Sequence, residues 1–311
     1  MPTILGQNQY GKAENRVVKI TRDGDTHHIK DVNVSVALSG DLDDVHLTGS
    51  NANCLPTDTT KNTCFAFAKE YGIESIEQYG IHLAKHFVDS QPSIHKARIR
   101  LEEYSWERIA GSDANANFIG ADEVKHSFVR KGQEIRLAQV TYDGEKFEIL
   151  SGFKDLTVMN TTNSEFWGYI KDKYTTLKED YDRILATSLS TWWRHTWTGE
   201  DDERNPNWER SYAQVKKNIL HAFVETYSLS LQQTLFQMGS RVINNRGEVD
   251  EIRFSAPNKH HFRQDLSFCD LDNEAKDGAV YYAADRPYGL IEATILRDGA
   301  DQRIPIDMTN L

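Results

Sequence analysis

The sequence is poor in cysteine, proline and positive charge, and it contains no long apolar run. Each shortage excludes something. Cys54, Cys64 and Cys269 are odd in number and far from any Cys-x-x-Cys spacing, so they supply neither a disulfide frame nor a zinc set. They read as thiols of a reducing compartment. No stretch approaches the roughly 18 apolar residues of a transmembrane helix, which excludes a membrane partner of that kind. Seven prolines in 311 residues, with no Gly-, Ser- or Pro-rich tract, leave no interdomain linker. The start, Met1-Pro2-Thr3-Ile4-Leu5-Gly6, has neither region of a secretory leader, and Met308-Thr309-Asn310-Leu311 is not a Ser-Lys-Leu peroxisomal address. A cytoplasmic location is the expectation. With 36 Lys and Arg against 47 Asp and Glu, the net charge of -11 argues against a general nucleic-acid surface. An anionic substrate would be repelled at long range, so local groups must supply the attraction.

Periodicity carries the fold. Val32, Val34, Val36 and Leu38 alternate with Asn33, Ser35 and Ala37, the period-2 pattern of a strand with one buried face. After a polar loop over 39–56, Cys64, Phe67, Ala68 and Tyr71 share one helical face, and Ile76, Tyr79, Leu83 and Phe87 another. Alternation returns at Ala97-Ile99-Leu101, around Ile135-Leu137 and at Ala138-Val140-Tyr142. The order strand, strand, helix, helix, strand, strand then repeats. Residues 156–159 and 183–193 are strand-like, and 208–227 helical. Leu231, Leu235, Met238 and Val242 mark a further helix, followed by strands at 252–254 and 290–296. The charged stretch 199–207, with Pro206, reads as an exposed loop. Two copies of one unit predict an α+β chain of two tandem repeats, 1–151 and 152–311, each an antiparallel sheet with helices on one face. Such sheets have open edges, and closing them against other subunits predicts an oligomer.

Several polar positions stand out against this pattern. Ser230-Leu231-Gln232-Gln233 fits a capping box, leaving early N–H groups such as that of Leu231 without helical partners. Thr57-Asp58-Thr59-Thr60 opens a helix after Pro56 in the same state. Helix starts attract anionic oxygens, although every helix has one and, taken alone, both read first as ordinary caps. In Pro257-Asn258-Lys259-His260-His261, strand alternation places Asn258 and His260 on one face, where an amide and an imidazole could hold and pass protons. Taken alone, they read first as a surface pair. Taken singly, Lys12 reads as a surface amine, Phe166 as core and Arg183 as an ion-pair partner.

Together these segments resemble one family. Tyr10-Gly11-Lys12, Thr57-Asp58-Thr59-Thr60-Lys61-Asn62-Thr63, Asn163-Ser164-Glu165-Phe166-Trp167-Gly168, Tyr174-Thr175-Thr176-Leu177-Lys178-Glu179, Asp182-Arg183-Ile184-Leu185, Gln232-Gln233-Thr234 and Pro257-Asn258-Lys259-His260 are similar to urate oxidase segments and occur in the family's order. Ala283-Ala284-Asp285-Arg286-Pro287-Tyr288-Gly289-Leu290-Ile291 resembles bacterial members. The resemblance implies the tunnelling fold (T-fold), in which two subunits close a barrel and two barrels stack into a homotetramer with active sites at subunit interfaces. It implies urate and O2 as substrates, 5-hydroxyisourate and H2O2 as products, and no cofactor or metal. Arg183 and Gln232 would clamp opposite edges of the purine, Phe166 would stack on it, and Leu177 would pack at its side. N–H groups of Thr57, Asp58 and Leu231 would reach its oxygens or nitrogens. Lys12 and Thr57 would act as the proton-removing dyad, assisted by His260, while Thr57 and Asn258 hold O2 and then water.

Two departures from the family pattern are visible. Asn160 stands where lysine is common, and Leu231 where valine is frequent. Two other functions are open to such a chain: a metal-dependent pterin or purine hydrolase of the same fold, and a tetramer that binds purines without catalysis. Adjacent histidines such as His27-His28 point to opposite faces of a strand and bring no matching ligand set, and Lys12, Thr57 and His260 are all present.

Overall fold

A computed structural model describes residues 3–24, 26–109, 126–200, 205–274 and 278–310. The chain divides into two compact units, Met1–Ser151 with Trp197–Glu209, and Gly152–Thr196 with Arg210–Leu311.

In the first unit β1 (Asn15–Asp23), β2 (Thr26–Gly40), β3 (Ile94–Glu103), β6 (Ile135–Tyr142) and the start of β7 (Phe147–Asn160) are neighbours in that order. The pairs β1–β2, β2–β3 and β3–β6 are antiparallel. The register sets Val34 opposite Leu101, Val36 opposite Ile99 and Leu38 opposite Ala97, and all six side chains are buried. Helices α2 (Thr57–Glu70) and α3 (Ile76–Asp89) supply Cys64, Ala68, Tyr79, Leu83 and Phe87 to the same core. The other sheet face carries Ser35, Ala37, Arg98 and Arg100. The polar loop over 39–56 contains a short helix that no periodicity announces, α1 (Asp43–Leu47), with no buried residue. A two-stranded ribbon of β4 (Trp106–Arg108) and β5 (Phe128–Arg130) also lacked a sequence signal, since strands of three residues are too short to show alternation.

In the second unit the rest of β7, then β8 (Leu185–His195), β9 (Val249–Arg263) and β10 (Tyr281–Leu296) are neighbours. Helices α4 (Trp208–Glu225) and α5 (Leu231–Asn245) cover one face, with Val215, Ile219, Leu235, Met238 and Val242 packed on Leu189, Trp193, Ile252, Phe254 and Ala256. Strands β9 and β10 run far beyond the expected 252–254 and 290–296. Their outer halves are polar or solvent-facing and show no apolar alternation, yet they pair out to Arg263 and Tyr281. Of the expected loop over 199–207, residues 201–204 lie outside the described residues. Among the described residues no helix is long and apolar enough to cross a membrane.

The far face of β8 and β9 is tied to the C-terminal segment. The fully buried Glu251 carboxylate accepts from Arg194 Nε at 3.1 Å and from the N–H groups of Arg303 and Ile304 at 2.9 Å each. Arg253 donates to the Ile306 carbonyl at 2.6 Å. Replacing Glu251 by alanine leaves Arg194 buried without this partner and two backbone donors unsatisfied, at a cost of about 3–5 kcal/mol. Glu251→Ala is expected to melt at markedly lower temperature and to lose hydrogen-exchange protection at Arg303 and Ile304.

Candidate active site

The core face of β8 and β9 continues past its helical cover and becomes the wall of a cavity of about 610 Å³. The parity of β9 that buries Ile252, Phe254 and Ala256 brings Asn258 and His260 to this wall. Arg183 precedes β8 and shares parity with the buried Leu185 and Leu189. Phe166 and Leu177 come from a loop closed by two backbone bonds, Phe166 N–H to Asp180 O at 2.7 Å and Asp180 N–H to Phe166 O at 3.0 Å. The loop is anchored at Asn163, whose backbone is left-handed (φ 59°), a conformation asparagine tolerates better than most residues. Ser228 N–H donates to the Asn163 carbonyl at 2.9 Å.

Leu231 and Gln232 form the first turn of α5. Ser230 Oγ caps the helix by accepting the Gln233 N–H at 3.1 Å. Gln233 Oε1 reaches one residue further back than a regular capping box, accepting the Leu229 N–H at 2.8 Å. The N–H of Leu231 has no acceptor within the helix, and both Leu231 and Gln232 line the cavity.

Arg183 is the desolvated cation of this site, whose wall also carries Lys178. Its Nε donates to Ser164 Oγ at 3.1 Å, and its guanidinium carbon lies 5.2 Å from the Phe166 ring centre. Burial holds its pKa below the usual value. A desolvated guanidinium with most of its fork unengaged is matched to a planar anion. Phe166 is parallel to Tyr169 at 5.0 Å between ring centres, so the aromatic surface is held in place. Burial, then the charges of Arg183 and His261, push the His260 pKa down. At neutral pH His260 is therefore an uncharged imidazole, able to donate at one nitrogen and accept at the other.

Lys12, Thr57 and Asp58 belong to the first unit and do not line this cavity. They form a group of their own. Tyr10 and Lys12 add to the edge of β2, through Tyr10 N–H to Leu38 O at 3.0 Å and Val36 N–H to Lys12 O at 2.8 Å. A side chain at Gly11 would place its Cβ 1.9 Å from the Val36 carbonyl, so only glycine allows the arm this approach. Leu55 N–H donates to Tyr10 Oη at 2.8 Å, fastening the arm to the segment that opens α2 at Thr57. The half-buried Tyr10 hydroxyl has its pKa pushed up to about 12, by burial first and the neighbouring Cys54 second. Pro56 gives α2 no side-chain cap. Asp58 is paired with Lys61, which lowers its pKa, and Lys12 adds to that effect.

Three contributors have roles that the sequence does not mark. Ser164 holds Arg183 from a fully buried position, Tyr10 ties the arm to α2, and Phe262 lies parallel to His260 at 5.6 Å. Each acts through a neighbour distant in sequence, apart from Phe262, whose i+2 spacing on β9 was visible. Replacing Arg183 by glutamine removes the larger charge effect on His260 but not the burial. In Arg183→Gln, His260 is expected to titrate higher than in the parent yet still below an ordinary imidazole, as read by NMR. An unchanged or lowered value would contradict this electrostatic account.

The uricase family profile matches residues 8–141 and 149–292. A uricase of Arthrobacter globiformis is 45% identical over 303 residues, covering 97% of this chain and 93% of that protein. A uricase of Dictyostelium discoideum is 35% identical over 300 residues, covering 96% and 98%. The crystal structure of the Arthrobacter globiformis uricase superposes with a TM-score of 0.87 at 44% identity, over 98% of this chain and 99% of that one. A Bacillus uricase, at 21% identity and TM-score 0.76 over 94% of each chain, supports the fold alone. Matched over most of its length by profile, sequence and structure, the chain belongs to the uricase family.

Proposed function

We propose that this protein is a urate oxidase, converting urate, O2 and water to 5-hydroxyisourate and H2O2. The observation that carries the reading is a single cavity combining a desolvated guanidinium (Arg183), a braced aromatic face (Phe166), an amide at a helix start (Gln232) and a neutral imidazole (His260). Arg183 binds a carbonyl and ring nitrogen of the purine through its planar fork, and Gln232 matches the opposite edge as both donor and acceptor. Phe166 stacks on the ring, Leu177 packs beside it, and the Leu231 N–H meets a polar atom at its edge. These groups oppose the repulsion from a net charge of -11.

Chemistry begins with deprotonation of urate to its dianion by Lys12 and the Thr57 hydroxyl, with His260 in the relay. Two electrons then pass from the purine to O2, which leaves with two protons as H2O2. Water adds to the oxidised ring, giving 5-hydroxyisourate. Thr57 and Asn258 hold O2 and afterwards water above the ring, and the Asp58 N–H contributes to the same anion site. The dianion is itself electron-rich, so this scheme draws on neither a flavin nor a metal. Lys12, Thr57 and Asp58 belong to a different unit from the clamp, and the reading has them serve the cavity of a neighbouring copy in a cytoplasmic homotetramer.

Following urate absorbance and O2 uptake together tests the reading, and no urate loss under air would sink it. Lys12→Met is expected to lower kcat by roughly 10²–10⁴-fold, while anaerobic urate affinity stays within a few-fold of the parent. Unchanged turnover removes Lys12 from the mechanism. EDTA is expected to leave the rate intact, and loss of activity restored by a divalent metal would favour the hydrolase reading.

A further inference from the structure

A second cavity, of about 360 Å³, lies wholly within the first unit, on the sheet face turned away from α2 and α3. Its walls include Gln9 and Gly11 of the N-terminal arm, Ser35 and Ala37 of β2, and Arg98 and Arg100 of β3. The register sets Arg100 opposite Ser35 and Arg98 opposite Ala37, so two guanidinium-bearing side chains stand on one face at the i, i+2 spacing. Neither forms a hydrogen bond or ion pair with another described residue. Arg100 Nε is buried without an acceptor, and next to it on β6 the side-chain oxygen of Gln139, itself only 9% exposed, is also unsatisfied. Burial, and then the charge of Arg98, lower the pKa of Arg100, with Glu102 acting weakly in the other direction. The acidic group in the cavity wall, Glu14, is already engaged with Asn33.

Two like charges side by side, one of them desolvated and unpaired, destabilise a fold unless something neutralises them. We infer that this cavity binds a small oxyanion of the phosphate or sulfate type, held between Arg98 and Arg100. The forked geometry of guanidinium groups suits tetrahedral oxyanions. The cavity volume lies at the lower end of small-ligand sites, and two cations are too few for a polyanion. The site shares no lining residue with the Arg183 cavity of the same chain, although Gly11 and Ala13 in its wall flank Lys12.

The test is thermal unfolding and calorimetric titration of the full assembled protein with inorganic phosphate at constant ionic strength. Phosphate is expected to raise the Tm of the parent by several degrees at saturation, because a ligand of the native state stabilises it by mass action. Arg183→Gln should keep that rise, whereas Arg98→Gln and Arg100→Gln should lose it. Without phosphate, Arg98→Gln should melt at or above the parent, since removing one of two repelling charges relieves Arg100, and its urate turnover should be unchanged. A purely structural role for Arg98 predicts the opposite sign. A phosphate response that is absent in the parent, persists in both arginine variants or disappears in Arg183→Gln overturns the proposal. So does an Arg98→Gln protein that melts lower without phosphate, the result expected if a carboxylate of another copy fills the cavity.

Discussion

The register of β9 is the constraint on which the second unit depends. The strand is held on both sides, with Phe254 opposite Thr191 of β8 and Ala293 of β10. One parity buries Ile252, Phe254 and Ala256 under the helices and then delivers Asn258 and His260 to the cavity. The other parity carries Glu251 and Arg253, which hold the C-terminal segment on the opposite face. A slip of one residue would turn apolar residues to the far face, bury charges against α5 and remove both polar groups from the site. The energy that fixes the core therefore also fixes the chemistry. No separate device is needed to aim the imidazole.

Charge is handled with the same economy of position. An acidic protein that binds an anion must concentrate its attraction, and here a single desolvated guanidinium meets a helix start. Arg183 is engaged through Nε by the Ser164 hydroxyl, a neutral partner that orients the fork without quenching its charge. A carboxylate in that position would compete with the substrate. Burial first, and then the charges of Arg183 and His261, keep His260 uncharged at neutral pH, so an imidazole in the cavity remains able to accept a proton.

Much of this was legible in the sequence wherever one face is buried. The alternation at Val32–Leu38 and the helical spacing from Leu231 to Val242 located real elements, because burial imposes a period. The outer half of β10 was not legible, since Tyr281 to Gly289 face solvent and impose none. Helix α1 buries nothing and left no trace. At the site, chemistry marked Arg183, Asn258 and His260 as capable, but only the ordered family segments singled them out from equally capable surface residues. Ser164 and Tyr10 stand within those segments without a visible role, because their value lies in contacts nineteen and forty-five positions away along the chain.

In the proposed mechanism a clamp around Arg183 and a base at Lys12 come from different copies of the chain. The most direct test uses two variants, Lys12→Met and Arg183→Gln, each impaired alone, dissociated and reassembled as a mixture. If sites are shared, some in the mixed assembly pair an intact base from one copy with an intact clamp from another, and urate oxidation with O2 uptake returns. A mixture no more active than the sum of its two components, while the parent protein regains activity by the same procedure, would contradict the shared site.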